Sequence, residues 1–330
     1  MLQSTENPAD CSAYPNADES ALQACPTRQG RGLSLARKPC WLSAMKVGYY
    51  YTKANSIVRV GLTVDDLELI DLTSVGIHNL SYALEGLEPF ESLRREASRS
   101  FIRLPVSDAI LAAPVNNQEI WAAGVTYLRS KTARMEESDF SATAYDRVYE
   151  AARPEIFFKA LGSKVVGPGG AVGIRSDACW SVPEPELVLV FNRYGQRVGF
   201  TIGNDMSSRD IEGENLLYLP QAKTYRASCA LGPWIRLGVD EAEARSWGIR
   251  MEIHRADTVV FQGSTQVSQI KRSFDELARW LHRCESFPNG SMLLTGTGIV
   301  PPNEFTLAED DRVIIEIDGI GRLENSVAVV

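Results

Sequence analysis

Pro183-Glu184-Pro185-Glu186-Leu187-Val188-Leu189-Val190-Phe191, followed by Gly203-Asn204-Asp205-Met206-Ser207-Ser208-Arg209-Asp210, is the stretch that decides how this chain is read. Side chains two residues apart on a strand leave the same face. A strand over Glu184–Phe191 therefore points Glu184 and Glu186 together, while its apolar run carries the chain inward. Gly195 supplies a turn, and Val198–Ile202 returns as the second strand of a hairpin. Asp205, 19 residues after Glu186, comes back beside the two glutamates. Three converging carboxylates repel one another unless a cation or protons compensate. Three hard oxygen ligands select Mg²⁺, Mn²⁺ or Ca²⁺ over zinc. The pattern thus predicts a divalent metal held by Glu184, Glu186 and Asp205. A lone Glu-x-Glu is more often a solvated strand face. Here the pair is interleaved with two prolines and abuts an apolar run, where unpaired buried carboxylates would be expensive.

The rest of the chain narrows the class. It has 330 residues, 44% hydrophobic and 23% charged, which is ordinary globular composition with length for one large core or two domains. The net charge is −8 and no Lys/Arg-rich run occurs, so neither nucleic acid nor an anionic membrane is an expected partner. No apolar segment approaches the ~20 residues that span a bilayer. Six cysteines (Cys11, Cys25, Cys40, Cys179, Cys229 and Cys284) are scattered without a CxxC, a usage that fits a reducing cytosol better than a disulfide framework. Cys229 has no histidine within 20 residues and reads as a buried structural thiol. None of the three histidines (His78, His254 and His282) is near the carboxylate motif in sequence.

Residues 1–44 are polar, rich in Ser, Asn, Pro and Ala, and aperiodic. They lack the features of a secretory signal or transit peptide and are expected to be a disordered extension. Met45 opens a strand-like pattern and is a candidate translation start, which the intact mass of natively expressed protein would test. Residues 45–113 are expected to form a small N-terminal domain, with strands at Lys46–Tyr51, Ile57–Leu62 and Glu68–Asp71. A helix over Asn79–Glu85 would be ended by Gly86, and Pro105–Pro114 reads as a loop into a second unit, 114–330. That unit is β-rich with short helices. A helix is expected over Ala142–Ala152, a strand at Ile156–Lys159, and a turn rather than a phosphate loop at Gly167–Gly170. An amphipathic helix over Gln269–Cys284 is marked by Ile270, Phe274, Leu277 and Leu281. A closing hairpin runs from Val313–Ile317 through Gly319–Gly321 to Ser326–Val330.

Several residues offer chemistry beside the three carboxylates. Lys223 is placed to bind a substrate carboxylate or stabilise an enolate. Glu155 is a candidate general base and Lys159 a second cation, against the plainer reading of a surface ion pair. Thr295-Gly296-Thr297-Gly298 offers hydroxyl and N–H donors to an anion. Tyr127 and Arg129 open a polar stretch of about 20 residues, which reads more plainly as an ordinary surface loop than as a lid over a site.

These motifs in combination resemble the fumarylacetoacetate hydrolase family: Glu184/Glu186, Asn204–Asp210, the downstream Lys223 and Thr295–Thr297, over roughly two-thirds of the chain. The resemblance implies an α+β, β-rich protein with a mixed β-roll catalytic domain and a small N-terminal α/β domain. It also implies a Mg²⁺ or Mn²⁺ site, and a homodimer or homotetramer. By that carry-over, Glu184, Glu186 and Asp205 are the metal ligands and Lys223 the active-site lysine. Within the family, Gly124–Ser130, Tyr145–Glu150, Arg153–Lys159 and Ser208–Lys223 resemble the 2-keto-3-deoxy sugar-acid dehydratases. Hydrolase members carry a histidine shortly after a Gly-x-Asn-Tyr segment. Thr126-Tyr127-Leu128-Arg129-Ser130 has none, which argues against C–C hydrolysis and for expulsion of water. The implied reaction converts a small 2-keto acid, a 2-keto-3-deoxy-pentonate, to 2,5-dioxopentanoate through a metal-stabilised enolate. Glu155 would be the base, with Glu212 or Glu214 helping as acid or substrate contact, and Tyr127, Arg129, Lys159 and Thr297 substrate contacts. Two alternatives stand: an acylpyruvate or fumarylacetoacetate-type hydrolase, and a structural Ca²⁺ site in a non-enzymatic binding protein, which a neighbouring Lys223 disfavours.

Overall fold

Eighteen short strands and a few short helices make up the computed structural model, which describes residues 45–86, 88–129 and 146–330. The expected extension over 1–44 and the first part of the expected 142–152 helix lie outside the described residues. In chain order the strands are β1 (Lys46–Thr52), β2 (Asn55–Thr63), β3 (Glu68–Asp71), β4 (Arg103–Pro105), β5 (Ile110–Ala112) and β6 (Glu119–Gly124). They continue with β7 (Glu155–Leu161), β8 (Ala171–Ile174), β9 (Ser181–Val182), β10 (Pro185–Phe191), β11 (Arg197–Asp205) and β12 (Ser207–Ser208). The last six are β13 (Cys229–Leu237), β14 (Gly248–Arg255), β15 (Thr258–Gln266), β16 (Ser291–Leu294), β17 (Arg312–Ile317) and β18 (Gly321–Val329). The large sheet runs β4-β3-β2-β1-β13-β11-β10-β16-β6-β7, with β5 also on β1. A second sheet runs β15-β14-β17-β18-β8, and β12 pairs with β9. Pairing is antiparallel except between β16 and β6 and between β18 and β8.

The central strand β10 explains the layering. Its sequence, PELVLVF, is buried at every position. Leu187, Leu189 and Phe191 face a core shared with Ile249, Met251, Val313 and Ile315 of the second sheet and with Phe274 and Leu277 of the Phe274–Leu281 helix. Val188 and Val190 face a second core with Val47, Val60, Leu80 and Leu93 from the N-terminal segment. A strand covered on both faces has no use for alternation, hence the continuous aliphatic run. Each such side chain contributes ~1.5–3 kcal/mol by leaving water.

Residues 45–113 supply β1–β5 and helices at Leu80–Ala83 and Pro89–Ala97. Because β1 pairs with β13, these strands continue the sheet that carries the carboxylates. Three sequence expectations need correction. Pro105–Pro114 is not a plain loop: Ile110–Ala112 pairs with Tyr49–Tyr51, because an Ile-Leu-Ala run beside an open strand edge takes up its hydrogen bonds. The helix expected over Gln269–Cys284 is only Phe274–Leu281, because the Ser273 side chain accepts from Glu276 N and caps it there. Ile270 is buried after a 3₁₀ turn, Val267–Gln269, outside that helix. The first helix is capped by Asn79, as its side chain accepts from Ser81 N, and it ends at Leu84 rather than at Gly86. No helix among the described residues is long and apolar enough to cross a membrane.

Candidate active site

Register places the three acids. In the β10/β11 hairpin Glu186 is opposite Gly203 and Pro185 opposite Asn204. Glu184, Glu186 and Asp205 therefore share one face. The hairpin is closed at that end by Asp205 N donating to Glu184 O at 2.9 Å and by Glu184 N donating to Asn204 Oδ1 at 3.2 Å. Ligand-capable atoms of the three residues lie within 4.8 Å of one another, and all three are buried.

Three cations and one amide brace this cluster. Arg209 Nη2 is 2.7 Å from Glu184 Oε1 and Lys223 Nζ is 2.8 Å from Glu184 Oε2. Lys223 Nζ also donates to Ser207 Oγ at 2.5 Å and lies 3.5 Å from Asp205 Oδ2. Lys159 Nζ is 2.5 Å from Asp205 Oδ1 and donates to Met206 O at 3.0 Å and to Lys223 O. Glu186 Oε2 accepts from Gly296 N at 2.5 Å. The Thr295–Gly298 segment thus does meet an anion, but it is the protein's own. Gly296 is required there: its φ is +88°, and a Cβ would stand 2.2 Å from Thr126 Oγ1. Burial, and then the charges of Asp205 and Glu184, hold the Glu186 carboxyl well above the usual carboxylate range.

A cavity of about 20 Å³, room for one water-sized atom or ion, opens on this cluster. Its walls are Glu155, Glu184, Glu186, Asp205, Glu212, Lys223 and Thr297, with Ala123, Gly124, Phe157 and Gly296. Seven of the residues singled out from sequence, far apart in the chain, therefore meet in one place. Glu155 enters at the first position of β7, opposite Gly124 of β6. Glu212 enters from the short helix Arg209–Glu214, which turns Arg209 and Glu212 inward together at i, i+3.

The remaining candidates are elsewhere. Glu214, on the same helix, is exposed and does not line the cavity, because two residues of helix rotate it away from Glu212. Arg129 is exposed and borders residues that are not described. Tyr127 is buried, and burial together with the Glu186 charge pushes its hydroxyl pKa upward. Lys159 is fully buried behind Asp205 rather than open to the cavity, so its contact is with the carboxylate cluster. Arg209, Ser207 and Gly124 were not singled out from sequence. The first two sit inside the Asn204–Asp210 motif, which was the available signal. Cys229 is buried, and burial pushes its thiol up to about 12, as expected of a structural thiol.

The donor set fits a hard divalent cation. The carboxylates of Glu155, Glu184, Glu186, Asp205 and Glu212, five in all, face three cations, Lys159, Lys223 and Arg209. These oxygen donors suit one Mg²⁺, and no imidazole or thiol lines the cavity among the described residues.

Residues 119–328 match the model of the fumarylacetoacetate (FAA) hydrolase C-terminal family. A Haloferax volcanii protein named as a probable 2-keto-3-deoxyxylonate dehydratase is 48% identical over 223 residues, covering 68% of this chain and 76% of that protein. The 2-dehydro-3-deoxy-D-arabinonate dehydratase of Saccharolobus solfataricus is 35% identical over 286 residues, covering 84% and 93%. A solved structure of 2-keto-3-deoxy-D-arabinonate dehydratase complexed with magnesium and 2,5-dioxopentanoate superposes with a TM-score of 0.72 at 31% identity, covering 86% of this chain and 99% of that one. This chain belongs to the fumarylacetoacetate hydrolase family, and its β-rich fold is the one seen in those dehydratases.

Proposed function

We propose that this protein is a Mg²⁺-dependent hydro-lyase that dehydrates a 2-keto-3-deoxy-pentonate to 2,5-dioxopentanoate. The observation that carries the reading is the meeting of Glu155, Glu212 and Lys223 with three carboxylates around one small cavity. Similarity to dehydratases along most of the chain supports it.

Glu184, Glu186 and Asp205 would hold the metal; Mn²⁺ and Ca²⁺ suit the same oxygen set. When bound, the ion supplies a Lewis acid to the substrate's carboxylate and 2-keto oxygen, which acidifies the C3 hydrogens. Glu155 takes the C3 proton. The Lys223 ammonium stabilises the negative charge that develops on the 2-keto oxygen. Glu212 gives a proton to the C4 hydroxyl, which leaves as water while the C3–C4 double bond forms. Loss of a proton from C5 and return of one to C3 converts this enone to the C5 enol, which becomes the aldehyde. Atoms balance with one water released and no redox partner. Thr297 shapes the cavity wall, Arg129 is an outer contact for the substrate's far end, and Lys159 steadies Asp205 from behind.

The proposed organisation places every cavity residue in 114–330, with 45–113 as a smaller unit against it. A homodimer or homotetramer and a reducing cytosol are the proposed setting. Cys179, Cys229 and Cys284 without disulfides support the latter.

The test is NMR of purified protein with Mg²⁺ and 2-keto-3-deoxy-D-arabinonate, run beside acetylpyruvate. Formation of 2,5-dioxopentanoate with acetylpyruvate intact is the expected result. Cleavage of acetylpyruvate to acetate and pyruvate would favour the hydrolase reading instead.

A further inference from the structure

Gly124 and Glu155 are cross-strand partners at the mouth of the cavity. The Glu155 side chain lies directly over the Gly124 Cα. A Cβ built on Gly124 would stand 2.0 Å from Glu155 Oε2, 2.6 Å from its Cδ and 3.3 Å from its Cγ. The three atoms nearest to that point all belong to the Glu155 side chain, so the space a side chain would fill here is taken first by Glu155. The backbone conformation of Gly124 does not demand glycine, since its φ is not in the left-handed region. The residue after it does depart from the ordinary: Val125, a β-branched residue, has φ +52°. The strand therefore ends abruptly at Gly124, and Thr126 Oγ1 then anchors the chain by donating to Thr295 O at 2.5 Å. The strand end is held by its pairing with β7 on one side and by this hydrogen bond on the other.

We infer that Gly124 is the positioning residue for Glu155: its missing side chain is the socket that lets the Glu155 carboxylate turn into the cavity rather than out toward solvent. The inference rests on Glu155 acting as the base in the proposed reaction. A methyl group at 124 meets first the far end of a flexible side chain, so the chain folds and Glu155 yields by changing rotamer. What is lost is its position, and misplacing a reacting group by about 1 Å is enough to cost ~10²-fold in rate. The metal ligands on β10 and β11 are untouched by this change.

The experiment compares Gly124→Ala, Glu155→Gln and the double variant in the full chain. It measures kcat and KM with 2-keto-3-deoxy-D-arabinonate and saturating Mg²⁺, Mg²⁺ affinity by calorimetry without substrate, and Tm. Gly124→Ala is expected to lower kcat by ~10²-fold or more, with KM and Mg²⁺ affinity within about twofold of wild type. The double variant is expected to lose no more than Glu155→Gln alone, because two changes that abolish one function are not additive. Wild-type kcat in Gly124→Ala, with Glu155→Gln impaired, overturns the positioning role and leaves the base assignment standing. Multiplying losses in the double variant also overturn it, since Gly124 would then act independently of Glu155. Full activity in Glu155→Gln removes the base assignment and the inference with it. Should Gly124→Ala fold poorly, the same change is made in a Glu155→Ala background, where the obstructing atoms are gone. There Tm must return to the value of Glu155→Ala alone, and a Tm that stays low overturns the inference.

Discussion

Glu186 and Glu155 line the same cavity, but the protein holds them by different means. Glu186, Glu184 and Asp205 stand on or beside β10 and β11 in the middle of the large sheet, and polar contacts fix them: Arg209, Lys223, Lys159 and the Gly296 N–H each bond to at least one of them. Glu155 stands on β7, at the end of the same sheet among the described residues, and it is placed over a glycine by shape. A floor fixed by charge suits a metal, whose binding depends on total charge and oxygen geometry. A rim fixed by shape suits a proton carrier, which must stay within reach of a carbon. The contrast predicts that changes on the floor act on metal binding and stability, whereas changes on the rim act on turnover.

The largest effect is expected at the floor. Glu186→Ala should abolish Mg²⁺ binding in calorimetry together with activity; tight Mg²⁺ binding in an active variant would refute the ligand assignment. At the rim, Glu155→Gln should lose ~10²–10⁴-fold in kcat while Mg²⁺ affinity stays near wild type. Lys159→Met tests the bracing behind the floor. Removing one partner of a buried pair commonly destabilises by ~3–5 kcal/mol, so urea unfolding without Mg²⁺ should show a loss of that order, partly recovered at saturating Mg²⁺. An unchanged midpoint would mean that Lys159 does not brace Asp205.

A pH effect follows from Glu186. Its pKa is raised in the folded protein, so folding favours the protonated form. In the metal-free protein the Glu186 contribution to stability should therefore be fully present below the ordinary carboxylate value of ~4.3 and be lost as pH rises through the folded value. A bound cation replaces the proton and removes that loss. The rise in Tm on adding Mg²⁺ should be larger at pH 8 than at pH 5, and the reverse order would contradict the charge account of the floor. The smallest effect belongs to Glu214→Gln, exposed and outside the cavity, for which kcat/KM should stay within about twofold of wild type. A larger drop would restore Glu214 as a substrate contact.

Much of the floor was legible in the sequence because it is local. One hairpin, Glu184 to Asp205, carries all three carboxylates, and the period-2 rule alone puts them on one face. Lys223 follows shortly after. The rim was legible only as candidates. Glu155 could be named from its resemblance, but its placement depends on β7 pairing with β6 and on β6 lying parallel to β16, long-range registers that leave no periodic trace. Lys159 shows the same limit from the other side. As a residue type it is a plausible substrate contact, and only the packing of β7 against Asp205 turns its ammonium inward. The N-terminal strands were found at Lys46–Thr52, Asn55–Thr63 and Glu68–Asp71 close to their expected bounds, since short runs with Val, Ile, Leu and Tyr mark them. Their continuation into the sheet through β13 was not visible locally. Ile270 fitted the helical spacing of Phe274 and Leu277 because both a helix and a 3₁₀ turn can bury a side chain at that distance.

The division between floor and rim is tested most directly by proton exchange without elimination. 2-Oxopentanoate has the 2-keto acid group but no C4 hydroxyl, so it can lose and regain its C3 protons without expelling water. In D₂O with Mg²⁺, wild-type protein is expected to exchange those protons, as followed by ¹H NMR. Glu155→Gln should abolish the exchange, and Glu212→Gln, lacking only the proton donor to the leaving hydroxyl, should retain it. Exchange at the wild-type rate in Glu155→Gln would contradict the account, because the proton would then be leaving to another group.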